Sequence, residues 1–238
     1  MQLVLLAAGK GSRLPNKFRS NPKCLVKIND KTILDHNKNF YNKFKYKSII
    51  SGYKNYKLRE FIKINNFQNI INKEYRNTNM VYSLFKLKNI KSNQIVVCYS
   101  DIIFDKNIFN NLKKKNKSSI ILKKNWLNVW KGRMKYKNIF DDAEDVDIKK
   151  NKLISIGKKI NLKLPKYQYM GIMKFTFNDF IKLRKYFKKI NDPKIDLTKF
   201  LNLSLEDKVI DLNVIVTNKF WYEIDNKLDI DFTSKKLW

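Results

Sequence analysis

A chain of 238 residues, 43% of them hydrophobic, is long enough for one α/β domain with at most a small subdomain, and too apolar for a disordered chain. Its 51 Lys and Arg against 21 Asp and Glu give a formal charge of +30, but the lysines are spread among Asn and Ile along the whole chain. That pattern speaks for a compositional bias and against a specific nucleic-acid surface, while still favouring anionic substrates. Two Cys and one His exclude a disulfide scaffold and a conventional zinc cluster. No apolar run approaches the ~18 residues of a membrane span. A strand pattern starting next to Met1 leaves no room for a secretion signal, so a reduced, cytoplasmic protein that binds no membrane is expected.

The first element is an apolar run from Leu3 to Leu6, read as a buried strand. It breaks into Ala7-Ala8-Gly9-Lys10-Gly11-Ser12-Arg13. Small residues let the backbone approach a ligand, and successive N–H groups in such a turn form an anion-binding concavity. Lys10 and Arg13 add positive charge at the same place, a combination suited to a polyphosphate. The spacing is neither a P-loop nor the Rossmann fingerprint.

A short strand over 24–28, a helix over 32–45, a strand over 48–51, a helix over 54–64 and a strand over 69–72 follow. This alternation predicts a parallel sheet with right-handed crossovers. Ligands of such sheets bind beyond the C-terminal strand ends, where Gly9, Gly52 and Asn72 fall. Asn79 is placed to cap a helix running to about Leu87. Residues 94–99 form the most apolar strand after the first and deliver Ser100-Asp101. A carboxylate at the end of a buried strand is costly unless paired or metal-bound, so a Mg²⁺ ligand is expected there. A helix over 107–116 and a strand over 119–122 come next. Residues 125–167 read as a small β insertion that extends the sheet over the substrate side, with a hairpin formed by 145–148 and 153–156 and ended by Gly157. Strands over 169–175, 214–217 and 221–225, helices over 177–190 and 196–203, and a C-terminal helix complete a single domain, 1–238.

Leu6-Ala7-Ala8-Gly9-Lys10-Gly11-Ser12-Arg13 followed by Pro22-Lys23 resembles the signature of the nucleotidyltransferases that make nucleotide-activated sugars and alcohols. With Asn72, Tyr75, Asn79, Ser83, Ser100-Asp101 and the late Trp221-Tyr222-Glu223-Ile224-Asp225, the likeness covers nearly the whole chain. It points to the cytidylyltransferase branch that contains the bacterial phosphocholine enzymes. The resemblance implies a Rossmann-like, mostly parallel mixed sheet flanked by helices. It also implies a nucleotide site at Leu6, Ala7, Ala8, Gly9, Lys10, Gly11, Ser12, Arg13, Gly52, Asn72, Asn79 and Ser83. Asp101 and Asp225 would be Mg²⁺ ligands and, with Lys23 and Arg13, the catalytic groups. The partners implied are CTP and a small phosphate or phosphonate acceptor, in a monomer or homodimer.

Between Trp126 and Gly171 the chain departs from the phosphocholine pattern and looks more like the phosphoglutamine and phosphonate relatives. Acceptor selection is therefore expected at Trp126, Trp130, Arg133, Asp142, Glu144, Gln168 and Asp196. Arg133 suits a carboxylate or phosphonate, and an acidic residue suits an ammonium group. Trp126 and Trp130, four residues apart, read equally well as core. Open alternatives are a sugar-1-phosphate or other nucleotidyltransferase using UTP or GTP and, more remotely, a polyanion binder without catalytic activity.

Overall fold

Why the chain folds around residues 2–7 is visible in their burial: all six residues of strand β1 (Gln2–Ala7) are buried. A strand covered on both faces is expected to be apolar throughout rather than alternating. The computed structural model describes residues 1–134, 136–160 and 163–237, with the side chains of 136–138 outside the description. Lys135, Asn161 and Leu162 of the predicted insertion, and Trp238, lie outside the described residues.

The strands are β1, β2 (Lys27–Ile28), β3 (Lys31–Thr32), β4 (Tyr46–Ser51), β5 (Gln68–Ile71), β6 (Gln94–Tyr99), β7 (Ile102–Phe104), β8 (Ser119–Lys124), β9 (Glu144–Lys149), β10 (Lys152–Lys159), β11 (Tyr167–Thr176), β12 (Asn213–Thr217) and β13 (Trp221–Glu223). Among the described residues, nine of these form one sheet in the order β5-β4-β1-β6-β11-β8-β12-β10-β9. β5, β4, β1 and β6 are parallel. β11 runs antiparallel to both of its neighbours, and β12 is parallel to β8. The helices are α1 (Ile33–His36), α2 (Lys38–Tyr41), α3 (Arg59–Ile64), α4 (Met80–Phe85), α5 (Ile108–Lys113), α6 (Trp126–Arg133), α7 (Tyr136–Asp142), α8 (Phe177–Ile190), α9 (Leu197–Glu206) and α10 (Lys227–Lys236). None is long and apolar enough to cross a membrane among the described residues.

The period-2 geometry of strands divides the core into two layers. Leu3 and Leu5 of β1, with Val96 and Cys98 of β6, face one layer containing Phe40, Tyr41, Trp126 and Trp221. Val4 and Leu6, with Ile95 and Val97, face the other, which holds Phe180, Phe200 and Leu201.

The predicted mixed α/β sheet is present, with differences that have physical reasons. The helix expected over 32–45 is two short pieces, α1 and α2, separated at Asn37. That residue is buried, and its side-chain amide donates to the Ile33 carbonyl and, at 2.7 Å, to the Ile102 carbonyl of β7. The strand expected over 24–28 is a 3₁₀ turn, Lys23–Leu25, followed by the two-residue β2. The insertion is not mainly β: α6 and α7 fill its first half. Its hairpin, β9–β10, continues through Gly157 to Lys159 at the far sheet edge. Gly157 has φ +81° at a register shift, where a Cβ would lie 2.8 Å from the Thr198 Cβ.

Candidate active site

Three carboxylates meet at the C-terminal ends of β1 and β6. Asp101 follows β6, and Glu223 and Asp225 sit at the end of β13 and just after it. β13 pairs antiparallel with β7, Glu223 opposite Ile102, and the Ile224 N–H donates to the Asp101 carbonyl at 2.9 Å. This small ribbon brings together residues 124 positions apart. One oxygen of each of Asp101, Glu223 and Asp225 lies within 4.8 Å of the others. Glu223, the last residue of β13, and Asp225, two residues on, both turn to this cluster.

Lys23, on the 3₁₀ turn after Pro22, reaches into this cluster. Its Nζ lies 2.6 Å from Asp101 Oδ2 and also donates to Asp225 Oδ1. Arg13 NH2 lies 2.8 Å from Asp225 Oδ1. Burial alone would lower the Lys23 pKa, but Asp101, Asp225 and Glu223 outweigh it and raise it above the ordinary value. For Asp225, burial works against ionisation, and Lys23, Arg13 and Arg133 overcome it, so its pKa falls. Glu223 goes the other way: burial, then the charges of Asp225 and Asp101, push it up to about 8.

Behind the cluster lies Asp229, fully buried in α10. Its Oδ2 accepts from the Asp225 N–H at 2.7 Å and the Asn226 N–H at 3.0 Å. Its Oδ1 is 2.6 Å from Arg133 Nε. Arg133, also buried, lies 3.8 Å from Glu223 and 4.0 Å from Asp225, and its guanidinium stacks 4.6 Å from the Trp130 ring centroid. Arg133 is thus committed to holding the cluster from behind, and, unlike the other residues expected at the acceptor except Trp126, it does not border the clefts that open on the cluster.

Two clefts open on the cluster. One is bordered by Leu6, Ala7, Ala8 and Gly9, by Lys23 and Asp101, and by Asn79 and Ser83. A Cβ on Gly9 would meet nothing within 4 Å, so this backbone faces open space. Gly52 works differently: a Cβ there would lie 2.8 Å from the Ala8 carbonyl oxygen and from Tyr75 Cβ, so its absence allows the loop to pack. Asn72 is fully buried behind the cleft wall, its amide donating to Thr78 Oγ1 and Ser83 Oγ at 3.0 Å each. Lys10 is exposed and Ser12 largely so at the rim, and Gly11 takes φ +67° against Lys23. Tyr75, Thr78, Met80 and Tyr99 also border this cleft, and only Tyr75 had a sequence signal.

The second cleft shares Met80 and Tyr99 with the first and is bordered by Arg13, Trp130, Asp142, Glu144, Gln168 and Asp196. Trp126 is not on it. That ring is buried, donates from Nε1 to the Pro165 carbonyl at 2.9 Å and packs edge-on against Trp130, as core. Gln168 uses its amide on the backbone of Glu144, accepting from the N–H and donating to the carbonyl.

No family model matches the chain. It is 27% identical, over 99% of its own length and 100% of the other's, to the CTP:phosphoglutamine cytidylyltransferase of Campylobacter jejuni. Its fold superposes on the CTP:phosphocholine cytidylyltransferase of Streptococcus pneumoniae with a TM-score of 0.79 and 19% identity, covering 100% of this chain and 99% of that one. The chain has the nucleotidyltransferase fold and resembles its cytidylyltransferase branch. The inositol-1-phosphate CTP transferase of T. maritima superposes with a TM-score of 0.78 and 18% identity, over 98% of this chain and 95% of that one. Within this nucleotidyltransferase fold the carboxylate–lysine cluster stands where the two clefts join.

The donor set suits a hard divalent cation, because such ions take oxygen ligands and anionic ones above all. Asp101 Oδ1 is buried without a hydrogen-bond partner, so the cluster has oxygen valence to spare. Asp101, Asp225 and Glu223 therefore fit Mg²⁺. Glu223 is the ligand candidate that the reading of the sequence left out.

Proposed function

We propose that the protein transfers CMP from CTP to a phosphoryl or phosphonyl oxygen of a small acceptor and releases pyrophosphate. The observation that carries this reading is Lys23 held between Asp101 and Asp225 at the junction of the two clefts. Attack on the α-phosphorus brings two anions together, so the task is to position them and offset their charge. The backbone from Ala7 to Gly9 offers room for the triphosphate, Lys10 adds charge nearby, and Arg13, paired with Asp225, adds charge from the side of the second cleft. The acceptor oxygen attacks in line, the bond to the pyrophosphate oxygen breaks, and the electron pair leaves with pyrophosphate. The acceptor is already an anion, so no strong general base is needed. Lys23 supplies positive charge at the reacting centre. Mg²⁺ held by Asp101, Asp225 and Glu223 would supply further stabilisation of phosphate charge.

The relatives that act on phosphoglutamine and phosphocholine support CTP as donor. The deciding experiment measures pyrophosphate release with each of the four ribonucleoside triphosphates, with a panel of small phosphate and phosphonate acceptors and with Mg²⁺ present or chelated. CTP-dependent, acceptor-dependent release that chelation stops is expected. Release with UTP or GTP alone would overturn the cytidylyl assignment.

A further inference from the structure

Two of the cations that meet at Asp225 come from the two ends of one irregular segment. Arg13 opens it, Lys23 closes it, and both reach Asp225 Oδ1. Between them the chain makes the 3₁₀ turn Asn16–Phe18 and buries Leu14 and Pro22, the other residues being exposed or half-buried. Apolar packing gives such a segment little hold, and side chains that donate to its backbone carbonyls take over that task. On the Arg13 side the donor is Arg19. Its Nε donates to the Leu14 carbonyl at 2.6 Å, and its guanidinium also donates to the Ser12 carbonyl. The Leu14 N–H donates to the Gly11 carbonyl at 3.1 Å. The peptide before Arg13 is thus held through its C=O and the peptide after it through its N–H. Because each peptide is a planar unit, this leaves the Arg13 backbone little freedom.

Arg19 is itself anchored. Its carbonyl accepts from the Tyr53 hydroxyl at 2.9 Å and from Lys54 Nζ at 3.2 Å, and Lys54 also donates to the Ser20 carbonyl at 3.1 Å. The Tyr53 N–H donates to the Ala8 carbonyl at 3.1 Å. Tyr53, just beyond β4, therefore ties the Ala7–Gly9 backbone of the first cleft to the segment that carries Arg13. Among the described residues Arg19 makes no ion pair and borders neither cleft on the cluster. Its guanidinium is committed to the two carbonyls that flank Arg13. The Arg13 side chain, in contrast, is 65% exposed, so its aim at Asp225 depends on where the backbone starts it.

We propose that Arg19 is a positioning residue of the transfer reaction, acting through Arg13, whose guanidinium it presents to the phosphates of CTP. This rests on the cytidylyltransferase reading and adds to it a residue that touches neither substrate. A charge helps an anionic substrate most when it is already in place, because a mobile side chain must be ordered at the moment of binding. The Arg fork suits the task, since it offers several donors in a fixed plane and so grips two carbonyls at once. Acting through Arg13 also means that Arg19 matters only while Arg13 is present, a dependence that a contact serving general stability would not show.

The test is a double-mutant cycle with Arg19→Met, Arg13→Ala and the pair, read as CTP affinity by titration calorimetry with Mg²⁺ and as kcat/KM for CTP by pyrophosphate release. Arg19→Met is expected to weaken CTP about tenfold in the wild type and by less than about twofold once Arg13 is Ala, the signature of coupled residues. Arg19→Lys, a point charge in place of the fork, should recover part of the loss. Thermal unfolding shows whether each variant folds. Should Arg19→Met not fold, Tyr53→Phe combined with Lys54→Met removes both side-chain donors to the Arg19 carbonyl and leaves Arg19 in place. That variant should weaken CTP in the same direction, again only with Arg13 present. Unchanged CTP affinity in folded Arg19→Met, equal losses with and without Arg13, or no loss in the Tyr53 and Lys54 variant would each overturn the proposal. A wild type that binds CTP but releases no pyrophosphate with any acceptor would overturn the transfer reading alone, and one that does not bind CTP would overturn both.

Discussion

Asp229→Asn removes one charge from the buried support behind the cluster and keeps the side chain's shape. Asp229 is fully buried and Arg133 is 2% exposed at its side chain, so neither charge has water to fall back on. Removing one member of a buried pair typically costs about 3–5 kcal/mol, since the other is left uncompensated. Arg133 would retain Glu223 at 3.8 Å and Asp225 at 4.0 Å, both shared with other cations, which puts the expected loss near the lower limit, about 3 kcal/mol. For a chain of this size that is a fall in Tm of roughly 6–12 °C. Urea unfolding followed by circular dichroism measures it directly. Arg133→Met should also be destabilising, and the double variant should be more stable than the sum of the singles predicts by about 2 kcal/mol. A loss below about 1 kcal/mol for Asp229→Asn, or strictly additive singles, would refute the view that this pair props the site.

Lys23→Ala should lower kcat by roughly two to three orders of magnitude at saturating substrates, the scale for losing a preorganised charge stabiliser; near wild-type turnover would remove Lys23 from the reacting centre. Gly9→Ala should fold normally, because its Cβ enters open space, yet raise KM for CTP at least about tenfold by blocking close backbone approach. An unchanged KM would mean that the phosphates lie elsewhere. Lys174 is fully buried in β11 and donates to the Leu112 carbonyl at 2.7 Å and to the Lys115 carbonyl, closing the end of α5. Burial lowers its pKa to about 8 from 10.5. Between those values the unfolded chain binds the extra proton, so stability contributed by this group rises with pH from about 8 to 10.5. Lys174→Met should lose that rise, and thermal melts of both proteins at pH 8 and pH 10 with identical increments would contradict it.

The parts of the fold that were legible in the sequence share a cause. β6 is a continuous apolar run, and α8 is amphipathic over its whole length with Thr176 accepting from the Asp179 N–H as its cap. Both lie where the expected ranges put them, because their pattern is local and unbroken. The helix pair in the insertion was not legible: α6 begins after Asn125 at φ +58° and carries Gly132 next to its end, features that read as loop. A Cβ on Gly132 would collide with the Phe232 ring of α10, a close approach between segments 100 residues apart. The site shows the same division. Lys23, Asp101 and Asp225 had motif signals, and Glu223 could have been found from its place two residues before Asp225. Asp229 could not, because beside Asn226 it reads as an ordinary helix-capping residue. It does fill that role, with the Asn226 side chain accepting from the Asp229 N–H and Asp229 accepting from the Asn226 N–H. Its second partner, Arg133, is specified only by tertiary packing.

The antiparallel strand β11 also marks a seam. On one side of it stand β5, β4, β1 and β6, all from the first hundred residues, with the Ala7–Gly9 backbone of the first cleft at their ends. On the other stand β8, β12, β10 and β9, all from residues 119–217, with Glu144 at the start of β9. The two halves meet at the carboxylate cluster through the β7–β13 ribbon of three residue pairs and the reach of Lys23 to Asp225. Recombination between relatives near residue 105 would therefore exchange Asp142, Glu144, Gln168 and Asp196 of the second cleft as a block, and would have to keep that short ribbon in register for Asp101 to find Asp225 again. A fold divided in this way keeps the Ala7–Gly9 loop, Lys23 and Asp101 on one half and Glu223, Asp225 and most of the second cleft on the other, so that the carboxylate cluster is complete only where both halves meet.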